Sequence, residues 1–177
     1  EHDLPLWASE SQHPVKDFDM IAFSIGYEMA YSNIVNMLDL AGLPLKSADR
    51  QGLKNIVFAG GVCAYNPEPL ADYIDFFSLG EGEDITVEIV SLYDKAKSEG
   101  WSKELFLKEV SQIPGIYVPS FYRHEYNEDG TLSAIVPLDG APEKVTKRII
   151  ENLDDAYFPT EMIVPSTEIV HDRANLE

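Results

Sequence analysis

Three short apolar runs in this sequence give out in small or acidic residues. Met20-Ile21-Ala22-Phe23 runs into Ser24-Ile25-Gly26-Tyr27-Glu28, Ile56-Val57-Phe58-Ala59 into Gly60-Gly61, and Phe76-Phe77-Ser78-Leu79 into Gly80-Glu81-Gly82-Glu83. A glycine pair after a strand admits a ligand or another backbone to close approach, because no Cβ intrudes. It serves equally well as a tight strand-to-loop turn. Gly80-Glu81-Gly82-Glu83 lacks the lysine of a phosphate loop and carries two carboxylates. Beside a helix N-terminus these repel a phosphate and stabilise the helix dipole. Glu81 thus either supports a helix start or accepts hydrogen bonds from hydroxyls or amides. Ser24 is placed to bond a ligand or cap a helix, and no Gly-x-Ser-x-Gly elbow surrounds it to make it a nucleophile.

The other chemistry-bearing residues are sparse. Four histidines, His2, His13, His124 and His171, form no His-x-x-x-His or His-Glu-x-x-His arrangement. His124 falls in a hairpin, and His171-Asp172-Arg173 reads as a surface polar cluster. The single cysteine, Cys63, excludes an internal disulfide and a thiolate metal cluster built from this chain alone. It reads as a small, buried residue near a turn.

The elements that position these residues follow from periodicity. The run Asp19 to Gly26 reads as a strand buried on both faces, as in a parallel sheet, and Asn55 to Ala59 and Asp75 to Leu79 read as two further strands. Tyr27, Tyr31, Ile34, Leu38 and Ala41 align on one face of a helix that Gly42 and Pro44 stop. Asn66-Pro67-Glu68-Pro69 leads into a short helix near Leu70 to Tyr73. Asp84 is a candidate cap for a helix that buries Ile85, Ile89, Leu92, Tyr93 and Ala96. A further helix spans about Ser102 to Gln112. Strand, glycine and helix in repetition argue for βαβ units with right-handed crossovers, and ligands bind such sheets at their carboxyl ends. After Pro114-Gly115 the pattern changes. Ile116 to Tyr122 reads as an edge strand, Asp129-Gly130 as a hairpin turn, Val145 to Ile150 as another strand, and Asn152 to Tyr157 as a linker or short helix. Met162 to Val170 reads as a last strand. The expected division is an incomplete α/β domain over 1–113, a β-hairpin appendage over 114–160 and a lead-in strand over 161–177.

The chain has 177 residues, 31 acidic against 13 basic, for a net charge of −18. Such a surface repels nucleic-acid backbones and anionic lipid. No apolar run approaches the length of a membrane span. One free cysteine fits a reducing, cytoplasmic compartment. Glu1 at one end and the polar stretch before Glu177 at the other suggest a piece of something longer.

Several stretches together resemble one family: Phe18-Asp19-Met20-Ile21 with Tyr27-Glu28, Asn36 to Leu45 (NMLDLAGLPL), Ala59 to Asp72 (AGGVCAYNPEPLAD), Gly80 to Glu83, Gly115 to Tyr122 (GIYVPSFY), and Ile169 to Glu177 (IVHDRANLE). They look like bacterial radical S-adenosylmethionine (radical SAM) proteins with an N-terminal cobalamin-binding-like domain, and the likeness covers nearly the whole chain. The resemblance implies a Rossmann- or flavodoxin-like parallel sheet that lacks its first strands. It implies that a Cys-x3-Cys-x2-Cys motif follows residue 177. The 4Fe-4S cluster, S-adenosylmethionine and the radical SAM barrel then belong to the parent chain, with no catalytic residue here. The usual cobalt-ligating Asp-x-His-x-x-Gly is absent. Carried over by strand end, Ser24, Gly60, Gly61, Gly80 and Glu81 match places that line the nucleotide tail of cobalamin.

Two readings stay open on this basis: an accessory cobalamin-binding domain, or a ligand-free scaffold or oligomerisation domain that shields the radical SAM site. A free-standing nucleotide binder or hydrolase ranks behind both for want of a phosphate loop or nucleophile. In a flavodoxin-like order the strand at 20–25 would be left with an unpaired apolar edge. The expectation is that another chain, forming a homo-oligomer, or residues 4–9 cover it.

Overall fold

Side-chain alternation along the strands sets the layering of the computed structural model, which describes residues 4–138, 140–152, 154 and 156–157. Four strands form one sheet in the order β1 (Met20–Ser24), β2 (Ile56–Gly60), β3 (Phe76–Ser78) and β4 (Ile116–Tyr117). On β2, Val57 and Ala59 face one layer while Ile56 and Phe58 face the other, as a period of two requires. Phe77 and Tyr117 join the first layer, Phe76 and Ile116 the second.

The first layer is closed by α1 (Tyr31–Leu40), which buries Ile34 and Leu38. The second is closed by α2 (Glu83–Glu99) and α3 (Lys103–Val110) through Ile85, Ile89, Tyr93, Ala96, Phe106 and Val110. Phe58 stacks on Phe76 at 4.9 Å, and Phe106 meets both Phe76 and Tyr93 edge-on, so an aromatic column ties both helices to the sheet.

The three expected parallel strands are present: β1 pairs with β2 and β2 with β3, both parallel. The sheet as a whole is mixed, because β4 runs antiparallel to β3. Two helices in series, not one, separate β3 from β4. The chain therefore returns to the carboxyl end before it re-enters the sheet, and has to run back down. Ser102 caps α3 by accepting a hydrogen bond from the Leu105 amide at 3.1 Å.

Other departures have local causes. Tyr27 stands 60% exposed, since α1 begins only at Tyr31 after a 3-10 turn over Glu28–Ala30. Asp84 makes no cap. It lies inside the first turn of α2 with Glu83, and Gly82 takes the N-cap position without a side-chain bond. The β2–β3 connection is built from 3-10 turns, Val62–Tyr65 and Glu68–Leu70, without an α-helix; Pro67 and Pro69 deny it backbone donors. Pro119 opens another 3-10 turn, Pro119–Phe121, which splits the expected strand 116–122 into β4 and the start of a hairpin.

That hairpin, β5 (Tyr122–Tyr126) with β6 (Leu132–Pro137), turns at Asp129-Gly130 as its residues demand. Between Val145 and Ile150 only Arg148 forms a bridge, parallel to Gly80. Residues 4–9 do not run along β1. Leu6 donates to Leu40 O at 3.1 Å, at the end of α1, and Trp7 bridges Pro14. Among the described residues β1 pairs only with β2. The expected strand 162–170 lies outside the described residues.

Asp75, fully buried at the foot of β3, organises the opposite end of the sheet from the glycines. Its Oδ2 accepts from the Val57 amide at 2.6 Å and from Arg50 at 3.3 Å. Its Oδ1 accepts from the Ser47 hydroxyl and pairs with Lys103 Nζ at 2.6 Å. Arg50, also buried, donates further to Pro44 O, Leu45 O and Tyr73 O. Removing one partner of a buried pair leaves an uncompensated charge. Asp75→Ala is therefore expected to cost about 3–5 kcal/mol, read as a lowered urea midpoint; a loss below about 1 kcal/mol would show the network to be dispensable.

Candidate functional site

The carboxyl end of the sheet, where α/β folds place ligands, is bridged by the chain itself. A segment over residues 147–150 crosses it as a strap. Arg148 N donates to Leu79 O at 2.8 Å, and Glu81 N donates to Arg148 O at 3.2 Å. The Glu81 carboxylate accepts from the Ile150 amide, and Arg148 reaches Glu88 on α2 at 2.5 Å. Between strap and sheet lies a cleft of about 310 Å3 lined by Gly61, Val62, Tyr65, Gly80, Glu81 and residues 147–149.

Three of the five candidate residues, Gly61, Gly80 and Glu81, meet at this cleft. Both glycines are needed there, and the reason is visible. Gly61 has φ +92°, and a Cβ on it would lie 2.8 Å from Ile25 O and 2.9 Å from Ile25 N. Gly80 has φ +106°, and its Cβ would overlap Arg148 O and lie 2.6 Å from Arg148 N. In each case the space a side chain would fill is taken by another stretch of backbone. Gly60 sits within β2, paired with Ser24 on β1. Ser24 is exposed with no side-chain hydrogen bond among the described residues, and neither lines the cleft.

These residues do not fit the nucleotide tail of a cobalamin. The glycine faces that would receive a ligand receive Ile25 and Arg148 instead, and Glu81 is bonded to an amide of the strap. Among the described residues no group of three or more His, Cys, Asp or Glu side chains could hold a metal ion. The Cys63 thiol is held above its ordinary pKa by burial and then by Glu28, which disfavours the reactive thiolate.

A second cluster, which sequence reasoning missed, lies where the hairpin meets the sheet. The Tyr117 hydroxyl donates to Glu68 Oε1 at 2.5 Å. His124 Nε2 lies 3.0 Å from Glu68 Oε2, in a geometry that closes no hydrogen bond. Burial, then the bond to Glu68, pushes the Tyr117 hydroxyl far above its ordinary range. Tyr117 and Tyr122 pack with ring centroids 4.8 Å apart, and Tyr122 donates to Pro142 O at 2.8 Å. The only sequence signal was the tyrosine-rich run 117–122. The residues that meet it, Glu68 and Pro142, are distant in the chain.

Two outcomes are expected. Gly80→Ala forces a Cβ against the strap at a φ that alanine resists, so it should cost more than about 1 kcal/mol. It should also raise the rate of proteolytic cleavage within 144–150; unchanged cleavage would mean the strap is not held through Gly80. The raised pKa of Tyr117 means that the folded state holds its proton more tightly than the unfolded one. Its contribution is complete below about pH 10 and declines above it. Stability measured by urea unfolding should fall above pH 10 less steeply in Tyr117→Phe than in the wild type. Equal slopes would contradict the assignment.

Comparison with known proteins gives a family. Residues 1–119 match the family described as radical SAM proteins, N-terminal, a span that contains all five candidate residues and the four-stranded sheet. No curated protein and no solved structure matches the chain. With well over half its residues matched, the chain belongs to the radical SAM protein N-terminal family.

Proposed function

We propose that this chain is a non-catalytic accessory domain of a radical SAM iron–sulfur enzyme, a scaffold that positions or shields the catalytic barrel of the same parent protein and binds no cobalamin. One observation carries the choice between the two open readings: the carboxyl end of the sheet is occupied by the strap, bonded through Gly80 and Glu81. A ligand there would have to displace a backbone bridge and break the Glu81–Ile150 bond. The 4Fe-4S cluster and S-adenosylmethionine belong, in this reading, to the parent region, since Cys63 is the one thiol of the chain. The net charge of −18 favours neither nucleic acid nor an anionic membrane as a partner, and no helix among the described residues is long and apolar enough to cross a membrane. A reducing cytoplasm suits a single free thiol and an oxygen-sensitive cluster.

The full-length protein, incubated with hydroxocobalamin and then desalted, is expected to retain none of the cofactor's visible absorption, while deletion of this domain lowers the activity or solubility of the remainder. Stoichiometric retention of cobalamin would defeat the scaffold reading. Full activity and solubility without the domain would defeat the accessory role altogether.

A further inference from the structure

The largest cavity among those described, about 390 Å3, shares Tyr65 with the strap cleft and lies in the seam between the sheet and the hairpin. Its walls include Tyr65, Tyr117 and Tyr122, with Glu68 and Glu143 as the carboxylates, and no lysine or arginine among the described residues lines it. Two of the three tyrosines are fixed before any ligand arrives: Tyr117 by its bond to Glu68, and Tyr122 by its bond to Pro142 O. Glu68 is committed to Tyr117 and faces His124. Glu143 is exposed and has no bonded partner among the described residues. The cavity thus joins aromatic walls to one engaged and one free carboxylate.

From this geometry we infer that the seam cavity is a binding site for a small organic cation, an ammonium group carried on an apolar or aromatic body. Aromatic faces attract cations through their quadrupole, and Glu143 supplies an opposite charge at the rim. An anion would meet two carboxylates. A neutral apolar ligand would gain the walls but strip water from Glu143 with nothing in return. Tyr117 and Tyr122 are preorganised, so binding does not have to order them. Tyr65 also lines the strap cleft, but this site does not rest on the scaffold reading, which concerns the strap.

The test is calorimetric titration of the full-length protein with three probes of one shape: benzylammonium, benzyl alcohol and benzoate. Saturable binding of benzylammonium is expected, at least tenfold tighter than benzyl alcohol, with none for benzoate. Glu143→Gln, at an exposed position, should weaken benzylammonium about fivefold, the order of one partly exposed charge pair, without moving the unfolding midpoint. Tyr65→Ala should weaken it several-fold as well. Absence of saturable binding, equal affinity for benzyl alcohol, or an affinity untouched by Glu143→Gln would each overturn the site. Cobalamin retention bears on none of these readouts, so failure here and failure of the scaffold reading are separable.

Discussion

The register of the sheet rests on a single buried carboxylate. β2 and β3 share only two paired positions, Phe58 with Phe76 and Ala59 with Phe77. So short a ladder would tolerate a slip, yet a slip of one residue would turn Phe76 and Phe77 to the wrong layers. Asp75 forbids it from both sides of one residue: its amide donates to Val57 O at 2.8 Å, and its carboxylate accepts from Val57 N. Burying that carboxylate is costly unless it is paired and hydrogen-bonded. Arg50, Lys103 and Ser47 meet the requirement, and in doing so fasten the 44–50 loop and the start of α3 to the sheet. Within this network Arg50 Nε has no hydrogen-bond partner among the described residues. Because β3 is fixed at its foot, Gly80 and Glu81 arrive at a defined place on its other end.

What could be read in the sequence was whatever repeats within a few residues. The apolar strand runs, the buried face of α2 and the Asp129-Gly130 turn all have short periods and appear where their residues put them. What could not be read depends on partners far along the chain. Asp75 precedes an apolar strand and carries no mark of Arg50 or Lys103. Tyr27 fits the helical face by spacing, but a 3-10 turn intervenes before α1. The antiparallel direction of β4 follows from the two helices before it; periodicity shows both helices but not which strand β4 pairs with. The five candidate residues show the same division. Their place at strand ends was legible. Whether a glycine there admits a ligand or a backbone was not, because glycine reads identically in both cases. The deciding atoms belong to Ile25 and Arg148.

The strap shows how the carboxyl end of an α/β sheet can be bonded by the chain itself. Such an edge presents glycines and helix starts whose open space needs an occupant, since exposed backbone groups that lose water must be bonded. Here the occupant is residues 147–150, whose amides and carbonyls bond Leu79 and Glu81 and whose Lys147 and Arg148 bring positive charge to an acidic rim. The strap therefore does electrostatically what an anionic cofactor could not.

The same contact has a mechanical consequence for any chain that continues past the strap. Gly80 and Glu81 lie directly ahead of α2, and Arg148 reaches across to Glu88 on that helix. The strap is thus anchored to a strand end and a helix together, and two anchors fix direction where one would fix only position. Polypeptide leaving residue 150 starts from the carboxyl face of the sheet with its heading already set. An accessory domain that orients a catalytic neighbour requires such a rigid exit. Under the proposed scaffold reading it comes from the feature that closes the cofactor edge, so closing that edge and orienting the neighbour would follow from one arrangement of backbone.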